Sequence, residues 1–86
     1  MKIIEYTFKN EMALHARPTT ILISEANKFK SDIIIEKDNM TINAKSLISV
    51  LSLLIEKGDT IKIKIDGPDE DKAADAIKEI LKNIEE

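Results

Sequence analysis

The chain has no cysteine and no tryptophan, and only one histidine, one arginine, two glycines and two prolines among 86 residues. Without cysteine there is no disulfide framework, no thiol nucleophile and no cysteine zinc site, a composition that fits a reducing cytoplasm. A lone histidine excludes a multi-histidine metal centre, and nothing points to a cofactor. Aromatics are confined to Tyr6, Phe8 and Phe29, too few for a base-stacking platform. The net charge of −3 is not the basic surplus of a general nucleic-acid binder. No apolar run approaches a membrane span. Met1 to Tyr6 is too short for a signal peptide and has Glu5 inside it. The scarcity of glycine and proline leaves no linker, so residues 1–86 are read as one small domain with a largely aliphatic, isoleucine-rich core.

What is present is periodic. Ile4, Tyr6 and Phe8 alternate with polar neighbours and predict a strand from Lys2 to Phe8. Pro18, Leu22, Ala26 and Phe29 predict one face of a helix over 16–29. A strand over 31–36 carries Ile33-Ile34-Ile35, Lys37-Asp38-Asn39 is a turn signal, and Met40 to Asn43 returns as a strand. Leu47 to Ile55 is apolar around most of its circumference and is read as a short helix, broken by Glu56-Lys57-Gly58-Asp59. Ile61, Ile63 and Ile65 alternate with lysines in a strand over 60–66. Beyond Gly67-Pro68, residues 69–86 form an amphipathic helix with Ala73, Ala76/Ile77, Ile80/Leu81 and Ile84 on its core face. Acids crowd its first turn, which suits the helix dipole. The order is β-α-β-β-α-β-α. Strands that are apolar on one face need cover on that face only, so the expected fold is α+β: an open-faced sandwich with a four-stranded antiparallel sheet and three helices on one face.

The chemistry concentrates in Leu14-His15-Ala16-Arg17-Pro18, where the single histidine and the single arginine stand two residues apart. Imidazole accepts and releases phosphoryl groups near neutral pH. Guanidinium matches phosphate oxygens. A helix starting near Ala16 would point unpaired N–H groups at an anion on His15, with Pro18 setting the first turn. Taken alone, these residues leave two readings open: a phosphoryl site, or a surface histidine with a solvated arginine beside it. Ser46, ahead of the short apolar helix, is on its own terms an N-cap. Leu47, Ile48, Val50, Leu51, Leu53, Leu54 and Ile55 cannot all face one core, which leaves either a deeply set helix or an exposed patch.

The histidine segment, together with Asn43-Ala44-Lys45-Ser46-Leu47-Ile48, resembles HPr, the family of histidine phosphocarriers of the bacterial sugar phosphotransferase system. The resemblance covers essentially the whole chain and implies the same β-α-β-β-α-β-α sandwich. It implies that His15 accepts a phosphoryl group on Nδ1 from enzyme I and passes it to IIA domains of sugar permeases. The carrier would be stoichiometric rather than an enzyme. Arg17 would hold the phosphoryl in transit, helped by the backbone at Ala16 and Pro18, and protonation of His15 would block acceptance. Ser46 would be the regulatory site of HPr kinase/phosphorylase, linked to a catabolite-control transcription regulator. Leu47, Ile48 and Leu51, with Thr20 and Ile21 of the first helix, would form the partner-binding surface of a monomer.

The sequence departs from the family pattern at several positions. Ala13 stands where glycine commonly precedes the Leu-His pair, Thr19 follows Pro18 where alanine is usual, and Leu54 and Glu56 replace small residues after the second helix. Two further readings compete with the carrier. One is a regulatory module on the same fold that uses Ser46 and the apolar patch without phosphohistidine transfer. The other is an ACT-type small-molecule sensor, which explains neither the His15–Arg17 pair nor the third helix. An RNA binder of the RRM type is further removed because its stacking aromatics are missing.

Overall fold

The computed structural model describes residues 1–9, 16–53 and 55–84, with the backbone alone at 16–18 and 84. Its elements are β1 (Lys2–Thr7), α1 (Ala16–Ala26), β2 (Asp32–Lys37), β3 (Met40–Asn43), α2 (Leu47–Leu51), β4 (Thr60–Asp66) and α3 (Glu70–Ile84). The strands form one antiparallel sheet in the order β1-β4-β2-β3. This is the expected β-α-β-β-α-β-α sandwich.

The alternation of isoleucines fixes which way the sheet faces. Ile4 pairs with Ile63, Ile63 with Ile35 and Ile35 with Ile42, so a single row of isoleucines crosses all four strands. Ile33, Ile61 and Ile65 fill the neighbouring rows of the same face and are buried. The helices close over it through Leu22 and Ala26 of α1, Val50 of α2, and Ala73, Ala74, Ile77 and Leu81 of α3. One register step away, Glu5, Lys62, Glu36 and Thr41 line up on the opposite face. There Lys64 and Glu36 form an ion pair at 2.7 Å. A slip of one residue would exchange these faces, so the pattern itself specifies the register.

Two junctions lock the layers. Asp69, just ahead of α3, accepts the backbone N–H groups of Lys30 and Ser31, each at 2.9 Å, and the Ser31 hydroxyl. These bonds hold its carboxyl down at about 2 from 3.8, the Ser31 hydroxyl contributing most and the Lys30 N–H next. Gly67 lies against the same serine: a Cβ there would sit 2.6 Å from Ser31 Cα, in a backbone with φ of +158°. At the other end of β4, Phe8 donates its N–H to the Asp59 carbonyl at 2.9 Å and accepts that of Gly58 at 2.7 Å.

Several boundaries differ from those read from the sequence. The first helix ends at Ala26 rather than Phe29. Its last turn tightens into i→i−3 bonds, Lys28 to Glu25 and Phe29 to Ala26, while the Asn27 side chain covers the Ile23 carbonyl. Its core face runs through Thr19, Leu22 and Ala26, with Phe29 half-buried, and the side chain of Pro18 lies outside the described residues. The second helix is Leu47–Leu51 and stops well before Ile55. On α3, Ala74 is buried while Ala76 and Ile80 are half-buried.

Candidate functional site

The backbone of the first turn of α1, residues 16–18, is helical, as the reading of Pro18 requires. That turn includes Ala16, Arg17 and Pro18. His15, with the rest of 10–15, lies outside the described residues, and so do the side chains of Arg17 and Pro18. Ala13 and Leu54, two of the departures noted above, also fall outside. The first described side chain of α1 is Thr19. It is wholly buried, and its hydroxyl has no hydrogen-bond partner among the described residues.

Beside α1 lies α2, a helix of five residues that buries only Val50. Leu47, Ile48 and Leu51, at i, i+1 and i+4, lie together on the side turned away from the core, with exposures of 44%, 80% and 37%. The seven apolar residues from Leu47 onward therefore divide. Val50, Leu53 and Ile55 turn into the core; Leu47, Ile48 and Leu51 are left to solvent; Leu54 is outside the described residues. One short helix thus carries three exposed aliphatic side chains.

Ser46 is the N-cap of α2. Its backbone is extended, and its hydroxyl accepts the Ser49 N–H over a long 3.4 Å. Thr20 and Ile21 are both exposed on α1. Thr20 precedes Asn27 by seven residues, which puts the two on one side of the helix. Asn27 reaches toward α2 by donating to the Lys45 carbonyl at 3.2 Å. Thr20 and Ile21 together line a shallow groove with Glu25, Lys28 and Ile80 of α3.

Both ends of α2 are fastened by lysines from neighbouring elements, a feature the sequence did not signal. Ahead of the helix, Lys45 Nζ donates to the Phe29 carbonyl at 2.8 Å. Behind it, Lys37 Nζ donates to the Leu53 carbonyl at 3.2 Å and pairs with Asp59, also at 3.2 Å. The Asp59 carboxyl is held below its ordinary range, first by the Glu56 N–H and then by Lys37. No group of three or more histidine, cysteine or acidic residues able to hold a metal occurs among the described residues. No helix there is long and apolar enough to cross a membrane.

The fold is an open-faced sandwich with a short, capped helix that exposes aliphatic side chains next to α1. Comparison with known proteins gives its family. The model of the PTS HPr component phosphorylation site matches residues 3–83. The phosphocarrier protein HPr of Mycoplasma pneumoniae is 43% identical over 82 residues, covering 94% of this chain and 93% of that protein. The HPr-like protein Crh of Halalkalibacterium halodurans is 44% identical over 69 residues, covering 80% of this chain and 82% of that protein. Among solved structures, HPr-C-His from Thermoanaerobacter tengcongensis superposes with a TM-score of 0.91 at 37% identity, covering 98% of this chain and 94% of that one. Bacillus subtilis Crh, described as a swapped dimer, superposes with a TM-score of 0.75 at 30% identity, covering 92% and 91%. The chain belongs to the HPr family of phosphocarrier proteins.

Proposed function

We propose that this chain accepts a phosphoryl group on His15 from phosphorylated enzyme I and passes it to IIA domains of sugar permeases. In the first step, the Nδ1 lone pair of neutral His15 attacks phosphorus in line. The Nδ1–P bond forms as the bond to the donor breaks, and the second transfer reverses these roles with the acceptor. Such transfers need placement and spread positive charge more than covalent assistance. Arg17 supplies the charge, and the first-turn N–H groups from Ala16 onward supply the dipole. The observation that carries this reading is the match of the phosphocarrier family over nearly the whole chain. The exposed face of Leu47, Ile48 and Leu51, together with Thr20 and Ile21 exposed along a groove of α1, supports the docking half.

Incubation with enzyme I and phosphoenolpyruvate should label the wild type with acid-labile phosphate and leave His15→Ala unlabelled. Equal labelling of both rejects the assignment. Arg17→Ala should accept phosphate at least tenfold more slowly, about 1.4 kcal/mol of transition-state stabilisation. In the same reading the carrier is a monomer in the cytoplasm.

The similarity to Crh favours a second reading beside the first: Ser46 is phosphorylated by HPr kinase/phosphorylase, and the modified protein engages a catabolite-control regulator. Ser46 is half-buried, and among the described residues its hydroxyl is held by the long bond to Ser49, so little is lost when it is modified. Treatment with the kinase and ATP should add one phosphate to the wild type and none to Ser46→Ala. An unmodified wild type ends the regulatory claim.

A further inference from the structure

A five-residue helix cannot hold its own geometry. Nucleation costs more than so few hydrogen bonds return, so tertiary ties must fix it. On the N-terminal side of α2 those ties converge on one residue, Lys45. Its ammonium holds the Phe29 carbonyl, its N–H donates to Asn43 Oδ1 at 2.9 Å, and its carbonyl accepts from Asn27 Nδ2. Asn27 at the same time holds the Ile23 carbonyl at 2.9 Å. The frayed end of α1 and the approach to α2 are thus bonded by side chains on both sides of the gap.

We infer that Asn27 and Lys45 are positioning residues that lock α2 against the end of α1 and so hold Leu47, Ile48 and Leu51 in fixed relation to Thr20. The inference rests on the docking reading above and goes beyond it. A surface assembled from two elements presents one shape only if their separation is fixed. Rigid presentation lowers the ordering cost of binding. The tie on the other side, Lys37 to Leu53, holds α2 to the sheet and does not reach α1. Asn27 and Lys45 therefore set the relation between the two helices, while packing of Val50 sets the depth of α2.

The test uses the full chain as the phosphoryl acceptor for enzyme I, together with amide exchange in the chain alone. Asn27→Ala should raise KM about fivefold with kcat unchanged, the scale of one net hydrogen bond. In the free protein it should speed exchange of the Val50 and Leu51 amides by a similar factor while leaving those of Ile63 and Ile77 unchanged. Lys45→Met should do the same. A raised KM with unaltered Val50 and Leu51 exchange would make Asn27 a direct partner contact and overturn the inference, as would an unchanged KM. Ile48→Ala separates the two levels, because it removes exposed surface without touching the tie. If Ile48→Ala leaves KM unchanged, the docking reading fails. If it raises KM while Asn27→Ala and Lys45→Met do not, only the positioning role fails.

Discussion

At the scale of single residues, the hydroxyl of Thr19 and the carboxylate of Asp69 show opposite ways of handling a polar group inside a small domain. The Thr19 hydroxyl is fully buried without a partner among the described residues, which costs free energy that no bond returns. Thr19→Val keeps the shape and removes the hydroxyl, so it should raise stability by about 1 kcal/mol. The measurement is an upward shift of the urea midpoint at constant m. An unchanged or lower midpoint would mean that the hydroxyl is satisfied in solution. Asp69 is the reverse case, with three donors converging on it. Its folded-state pKa of about 2 lies below the ordinary 3.8, so its contribution is complete above 3.8 and disappears as pH falls through 2. Asp69→Ala should melt several degrees lower than wild type at pH 7, with the gap closing between pH 4 and pH 2. A gap that stays constant over that range would place the effect elsewhere. Neither residue could be placed from the sequence. Thr19 reads only as a departure from the usual alanine, and Asp69 reads as a charge favouring its own helix. Its partners are 38 and 39 residues away, a distance no local pattern encodes.

At the scale of elements, what was legible follows how strongly the pattern alternates. β4 is found at 60–66, the bounds expected, because isoleucines alternating with lysines admit one reading, and β3 at 40–43 follows directly on the Lys37-Asp38-Asn39 turn signal. The second helix was overextended because Leu47 to Ile55 is apolar on every side, so its period cannot say where the helix stops. It ends at the cap Ser52, whose hydroxyl donates to the Ser49 carbonyl at 2.6 Å, and Leu53 bonds back only three residues, to the Val50 carbonyl. The chain then turns Leu53 and Ile55 inward. The exposed patch was legible for the same reason the boundary was not: more apolar residues than one core can take. At the start of α2, Ser46→Ala removes a cap whose bond is already long. The loss should be about 0.5 kcal/mol, the lower end for an N-cap, read from the urea midpoint. A loss near 2 kcal/mol would show that the hydroxyl makes a much stronger bond than the 3.4 Å contact.

At the scale of the whole molecule, the cross-sheet row of Ile4, Ile63, Ile35 and Ile42 runs through all four strands beneath the helices. The Cα radius of gyration is 11.5 Å. A compact single domain of this length has about 12 Å. Ile63 sits in the middle of that row on β4, a strand paired on both sides, and is wholly buried under the helices. Ile3 lies on β1 one residue before Ile4 and faces the opposite way, 60% exposed. The two substitutions to alanine remove the same atoms from the two faces of one sheet. Ile63→Ala leaves a cavity that its neighbours on both sides cannot close, and it should cost about 3 kcal/mol. That is a large share of the 5–15 kcal/mol that holds a typical domain together. Ile3→Ala should change stability by no more than about 0.5 kcal/mol. If residues 1–86 form one domain, the Ile63→Ala loss is shared by every element, and far-ultraviolet circular dichroism and Tyr6 fluorescence should report a single coincident transition shifted by the full amount. Separate transitions would divide the molecule into independently folding parts, and equal costs at Ile3 and Ile63 would mean that the outer face of the sheet is covered in solution. Covering it would require a second body, the one arrangement in which an open-faced sandwich loses its open face.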